Sequence, residues 1–475
     1  MYKPQASALS FIQMPPPRLN YPFMKLIRLI IKPYMRSLTF YDPEILFPER
    51  FVKAYKKCTD KKIRLILAFR HAYGDDPQLM AALMHYSLPR YAKKLRISLP
   101  KFTHAHFIYG AEVPMWSDAF VRWLLPQVGA IAVDHTRLKS DDMKRIRTVL
   151  SEGVFPLALA PEGNVTFASE KVASLETGTA RFGFWCIEDL LKQNRDEEVW
   201  ILPISSFYRY DKKAIKDVQA IISVIEKHCG MPKEAIVKKP SSKDFSDRVS
   251  LSGIARQLQA CGRALLLAMA KFYHVDTNTV AKEHQDASVL TQEYTKLQSH
   301  ILEKAFSTAE RLFNLNQFDS ETPLERMHKI RSRGWDSLFR RDLDALTDLE
   351  IELAKREAGE AWYGMRHMEI QELLIYVNFA VIDENEPLEV LVEIAQNYHD
   401  ALERLKGGTL HNRPNTIMKH PVVVPGAGIK VNDYFESYQK NRKSAIIDLT
   451  EDLKKQFEES IVEYRSIYPK NPKKT

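Results

Sequence analysis

The chain has 475 residues, with 69 Lys and Arg against 60 Asp and Glu, for a formal net charge of +9. Its hydrophobic content of 45 % is enough to bury a large core, which excludes wholesale disorder, and its length allows two or three domains. The basic excess is spread along the chain and suits anionic lipid, nucleic acid or phosphorylated small molecules, but no zinc finger, RNA-recognition signature or basic and aromatic stripe supports a nucleic-acid role. Cys58, Cys186, Cys229 and Cys261 lie far apart with no metal-ligand spacing, and are expected to be reduced thiols in a cytosolic protein. No secretory signal pattern and no run of about eighteen apolar residues is present, so membrane contact is expected from one side only.

Residues 1–20 are rich in Pro and Gln. Over 23–36, Lys25, Arg28, Lys32 and Arg36 recur at helical spacing, with Phe23, Leu26, Ile27, Ile30, Ile31 and Tyr34 largely opposite them. An interfacial helix on anionic lipid and a helix docked on its own domain both fit, and Pro33 argues against one continuous helix. Between 61 and 211, apolar runs at 63–69, 107–109, 128–133, 155–160 and 199–204 alternate with helical patterns at 117–125 and 141–150. Each run ends in polar or special residues, and parallel pairing would gather those ends at one edge of a sheet. From 212 onward helical patterns dominate, at 214–228, 248–273, 291–314, 324–358, 388–405 and 432–464, with a long loop from Gly407 to Gly426. The expected fold is therefore α/β, a mixed sheet flanked by helices, followed by a largely helical C-terminal region. The expected divisions are 1–40, 41–230 and 231–475.

Chemistry concentrates after the first run, at Phe69-Arg70-His71-Ala72-Tyr73-Gly74-Asp75-Asp76-Pro77. Across a tight loop Asp76 can hold one imidazole nitrogen of His71 while the other takes a proton from an alcohol. Taken alone, the spacing fits a solvated loop, or a histidine bonded to backbone, better than a catalytic pair. Asp75 reads as a turn or helix-start carboxylate. A metal site of His71, Asp75 and Asp76 lacks a further ligand at persuasive spacing, so no metal is expected.

Three later stretches join it: Gly129-Ala130-Ile131-Ala132-Val133-Asp134-His135-Thr136-Arg137, Leu159-Ala160-Pro161-Glu162-Gly163-Asn164-Val165-Thr166, and Ile201-Leu202-Pro203-Ile204-Ser205. In order and spacing the four resemble the sequence blocks of the glycerophospholipid acyltransferase family, of the type that acylates lysophosphatidate. The resemblance covers roughly 60–210; the single blocks are short and degenerate, and their ordered co-occurrence is what is specific.

The resemblance implies a glycerolipid-acyltransferase-like sheet and a transfer of a fatty acyl group from acyl-CoA or acyl carrier protein to a lysophospholipid or glycerol phosphate hydroxyl. His71 would be the general base and Asp76 its orienting carboxylate, with no acyl-enzyme and no cofactor. Glu162, Gly163 and Asn164 would hold the acceptor, and Pro203 would be structural. Three positions depart from the family pattern. His135 stands where an arginine usually follows the second strand, with Arg137 two positions later; Asn164 stands where Thr or Ser is usual; Arg70 stands where Asn or Ser is common. The departures bear on the acceptor: either Arg137, with His135, meets its phosphate from a shifted loop, or the acceptor has a different headgroup. The implied partners are a thioester donor, the lipid acceptor and an anionic membrane surface at the cytoplasmic side, and an acidic acyl carrier protein would suit the basic chain. An inactive lipid-binding scaffold and a thioester hydrolase on the same fold are the rival readings.

Overall fold

The computed structural model describes residues 7–133, 140–231, 250–278, 280, 287–316, 321–408 and 416–470. Its contacts divide the chain into two units, one of Met14–Arg209 with Met418–Thr475, the other of Met1–Gln13 with Tyr210–Ile417. The boundary read from the sequence at 230/231 is not where the contacts divide, because the C-terminal segment folds with the first α/β stretch.

Strand β1 (Leu9–Ser10) belongs to the second unit. The α/β unit begins with α1 (Tyr21–Ser37), whose N-cap Asn20 accepts the Phe23 N–H through its side chain. This helix is continuous through Pro33, contrary to the sequence expectation. Pro33 denies a donor to the carbonyl of Leu29, and Leu29 is the most exposed apolar residue of the helix, so water can replace the lost bond. There follow β2 (Glu44–Ile45), α2 (Pro48–Thr59), β3 (Ile63–Phe69) and α3 (Asp76–Ala82), which runs through a π turn into α4 (Leu88–Lys94). Then come β4 (His106–Gly110), α5 (Val113–Trp116), α6 (Ala119–Gln127), β5 (Ile131–Val133), α7 (Ser140–Glu152), β6 (Leu157–Leu159), α8 (Gly178–Lys192) and β7 (Glu198–Tyr210). All five apolar runs read from the sequence contain strands. The last does not stop at Ile204: Ser205 and Ser206 are buried within β7, and Ser205 bonds Ser460.

The second unit contains α9 (Ala214–His228), α10 (Leu251–Phe272), α11 (Ala287–Leu312), α12 (Pro323–Leu338), α13 (Asp348–Tyr376) and α14 (Leu388–Leu405). The single helix expected over 324–358 is two. It breaks at β8 (Phe339–Arg340), which pairs in parallel with β1, and restarts at a capping box in which Thr347 and Glu350 exchange hydrogen bonds. Gly334 lets α12 approach α13, since a Cβ there would lie 2.5 Å from Met365. Arg404 is fully buried in this unit against Glu372 and Asp400, 2.9 and 3.1 Å away.

The chain then returns to the first unit with β9 (Lys419–Pro425), β10 (Ile429–Lys430), α15 (Phe435–Lys440) and α16 (Arg442–Ile467). Strand β9 lies inside the segment expected to be loop. Pro421 and Pro425 had argued against a strand there. In the sheet they bracket Val422, Val423 and Val424, which are buried beside β7 and β2. The sheet order is β2-β9-β7-β3-β6-β4-β5, with β10 antiparallel to β7 and parallel pairing among β3, β4, β5, β6 and β7. Pro203, which has no N–H to give, offers its carbonyl to Gly426 N, between the β10 and β9 pairings. Ile66 and Ala68 pack with Leu157, Phe184, Leu449 and Phe457 on one face, under α7, α8 and α16. The pleat sends Leu65, Leu67 and Phe69 to the other face.

Candidate functional site

Strand β3 is central, buried along its whole length, and its register with β7 runs to Phe69↔Ile204. Arg70 N extends that ladder to Ile204 O, so the chain leaves the sheet at a fixed point and His71 is the first residue beyond it. Helix α3 starts five residues later, with Asp76 in its first turn and Asp75 at the N-cap position. The loop between them brings the expected pair together. His71 Nδ1 is 3.6 Å from Asp76 Oδ2, within ion-pair reach and beyond hydrogen-bond length. The Asp76 side chain is 1 % exposed and the imidazole 19 %, so the ring presents its outer edge to solvent while its buried nitrogen faces the carboxylate.

Asp76 is held from two sides. Its Oδ2 accepts the Tyr73 N–H at 2.7 Å, and its Oδ1 accepts the hydroxyl of Tyr208, a wholly buried residue near the end of β7. Burial, and next the Asp76 carboxylate, push the Tyr208 phenol far above its ordinary value, so it remains a donor. Tyr73 and Phe40 pack edge-on against the Tyr208 ring, at 4.5 and 5.9 Å between centroids. Behind Asp75 lies the buried Lys419 of β9, its ammonium 4.0 Å from Asp75 Oδ2.

The turn after β6 holds His71 by its backbone. Glu162 Oε2 accepts the His71 N–H at 2.8 Å, and Thr166 N donates to His71 O at 2.8 Å. Glu162 Oε1 accepts from Arg70 Nε and Nη2 at 3.3 and 3.2 Å. Both side chains are entirely buried, and the guanidinium also donates to the carbonyls of Ala168, Ser169 and Lys171. Glu162 thus does not face solvent as an acceptor contact would. Its carboxylate is spent on Arg70 and on the His71 amide, and the unusual Arg70 is the counter-ion of that carboxylate. Gly163 has φ +69°, a left-handed conformation, and a Cβ there would lie 2.2 Å from Glu176 Oε1. Its own N–H closes the turn onto Ala160 O at 3.2 Å, and Asn164 beside it is half-buried.

The structure brings His71, Asp76, Glu162, Gly163 and Asn164 to one edge of the sheet. His135 and Arg137 lie outside the described residues, beyond the end of β5 at Val133. Tyr208, Arg70 and Thr166 are the contributors that sequence reasoning did not place. Among the described residues no group of three or more His, Cys, Asp or Glu side chains could hold a metal ion, and no helix is long and apolar enough to cross a membrane.

A separate cluster of imidazoles lies on the β4 side. His104 stacks near His85 and meets His106 edge-on, at 5.4 and 5.9 Å between centroids, with Phe102 and Phe155 around them. Burial pushes His85 down to about 4 and His104 down to about 3, so both are neutral. Comparison of the chain with protein-family models, with curated proteins and with solved structures finds no match to any of them.

Proposed function

We propose that this protein is a glycerolipid-type O-acyltransferase, moving a fatty acyl group from acyl-CoA or acyl carrier protein to a hydroxyl of a lysophospholipid or of glycerol phosphate. The observation that carries the reading is the His71 and Asp76 pair at the end of β3, with both backbone groups of His71 tied to the turn at 161–166. The order of the four sequence blocks supports the same reaction.

In that reaction the imidazole takes the proton of the acceptor hydroxyl as its oxygen attacks the thioester carbonyl. The tetrahedral intermediate then collapses, breaking the carbon–sulfur bond, and the departing thiolate takes the proton back from the imidazolium. The products are an ester and a thiol. Asp76 stabilises the transient imidazolium and holds the ring, and no nucleophilic side chain is needed. Glu162 acts through His71, fixing the height of its backbone above the sheet. Gly163 and Asn164 are the proposed acceptor-side residues of the turn, and His135 and Arg137 the proposed contacts to its phosphate. The enzyme would work at an anionic membrane surface on the cytoplasmic side, with no resident cofactor.

Thiol release and ester formation would be followed with CoA and carrier-protein thioesters against lysophosphatidate, other lysophospholipids, glycerol phosphate and water alone. The expected result is ester formed in step with thiol, dependent on acceptor. Thiol release indifferent to acceptor would make the protein a hydrolase, and no thiol release under any condition would make it a scaffold.

A further inference from the structure

Helix α6 has the composition of a core helix and the exposure of a surface one. Of Ala119-Phe120-Val121-Arg122-Trp123-Leu124-Leu125-Pro126-Gln127, only Pro126 is buried. Phe120 is 60 % exposed and Trp123 48 %, and Trp116, just before the helix, is exposed as well. By contrast α8 buries six apolar residues in the sheet's core. Helix α1 repeats the anomaly, with Leu26, Ile30 and Tyr34 exposed and Leu29 76 % so.

The two helices share one surface. Arg18 N and Asn20 N donate to Pro126 O and Gln127 O at 2.8 and 2.9 Å, the Asn20 and Gln127 side chains bond at 3.0 Å, and Phe23 packs edge-on to Trp123 at 4.8 Å. Scattered exposed apolar residues need no explanation, but a joined set of this kind marks a binding face. The charge within the two helices is one-sided, although the exposed Asp118 caps α6 and Asp42 lies against α1. Lys25, Arg28, Lys32, Arg36 and Arg122 lie on these two helices, and neither helix carries an Asp or Glu, in a chain that has 60. Some of the cations are committed locally, Lys32 and Arg36 to Asp42 and Arg28 to the Lys101 carbonyl.

We infer that α1 and α6 together form a platform that seats the protein on an anionic bilayer, with Phe120, Trp123 and Leu29 entering the interface and the basic residues meeting lipid headgroups. Tryptophan and phenylalanine beside Lys and Arg match the apolar and headgroup layers they would contact. A protein partner would have to bring both an apolar surface and acidic groups to the same face, which a membrane containing anionic lipid supplies at once. Helix α1 also packs against α3, the helix that carries Asp76, so the seated face adjoins the element next to the catalytic loop. The inference deepens the reading of a lipid acceptor and takes from it only that the acceptor resides in a membrane.

The test is co-sedimentation of the full chain with phosphatidylcholine vesicles with and without phosphatidylserine, together with quenching of tryptophan fluorescence by brominated lipid. Wild type is expected to bind the anionic vesicles, more weakly as salt rises, and to be quenched. Trp123→Ser and Phe120→Ser should each lower partitioning by about tenfold, and Leu29→Ser provides an independent variant on α1. Val462→Ser, at an exposed apolar position of α16, should change nothing. Absence of wild-type binding, or undiminished binding in folded α6 and α1 variants, would overturn the platform. Loss of a dimer in those variants, with vesicle binding intact, would overturn it in favour of a second copy of the chain. His71→Ala should bind vesicles as wild type does, and Trp123→Ser should keep its thiol release with soluble glycerol phosphate, so failure of the platform and failure of the catalytic reading are told apart.

Discussion

Replacing Glu162 by Gln distinguishes a substrate contact from a buried brace. The change keeps the shape of the side chain and removes its charge, leaving the Arg70 guanidinium buried without its counter-ion. At 3.2 Å and an effective dielectric near 20, the direct attraction is about 5 kcal/mol. Breaking buried pairs costs about 3–5 kcal/mol. Arg70 keeps the carbonyls of Ala168, Ser169 and Lys171, which places the expected loss at the lower end, about 3 kcal/mol. Urea unfolding followed by circular dichroism should show the α/β unit of Glu162→Gln unfolding at clearly lower denaturant. The double change Arg70→Met with Glu162→Leu removes the unpaired buried charge but strands the His71 N–H and the carbonyls of Ala168, Ser169 and Lys171, so it should stay below the wild-type urea midpoint. A Glu162→Gln protein that unfolds at the wild-type urea concentration while its KM for the acceptor rises would refute the brace and restore Glu162 as an acceptor contact.

Two further changes test neighbouring parts of the account. Tyr208→Phe removes the hydroxyl donated to Asp76 Oδ1, a charge-assisted bond worth about 1.5–3 kcal/mol, and should lower kcat about tenfold with KM nearly unchanged; a wild-type kcat would show that this bond does not position the pair. Acid should unfold the protein partly through the buried imidazoles. Between the unfolded value near 6.5 and the folded values of about 4 for His85 and about 3 for His104, the unfolded chain binds protons that the folded chain refuses. Their contribution to stability is therefore complete above about pH 6.5 and lost as pH falls through that window. His85→Phe keeps the ring and should flatten the slope by about 1.4 kcal/mol per pH unit between pH 6 and 4, measured by urea unfolding across pH; an unchanged slope would mean His85 is protonated in the folded state.

Much of the sheet was legible because its strands are short apolar runs with polar ends, and Ile63–Phe69 is recovered to the residue. The pair His71 and Asp76 was legible for a related reason, being local and lying directly after the strand that supports it. What could not be read was long-range. Strand β9 lies more than 200 residues after β7 and contains two prolines that locally argue against a strand. Tyr208 was hidden because the run before it reaches two serines, a turn signal that the burial of Ser205 and Ser206 overrides. The Arg70 and Glu162 bond spans 92 positions. Its trace in the sequence was an arginine where a small polar residue is usual, and a charge at the buried end of a central strand calls for a counter-charge. The family resemblance assigns Glu162 to the acceptor, whereas the buried Arg70 claims its carboxylate. The α6 surface was not foreseen because its apolar pattern is the one a core helix would have.

The most direct test of the central claim is the rate of acyl transfer from a thioester to the preferred acceptor by His71→Ala, with folding checked by circular dichroism and vesicle binding. Loss of the general base should raise the barrier by about 3–5 kcal/mol, a rate decrease of about a hundredfold to several thousandfold. Undiminished transfer by the folded variant would contradict the account.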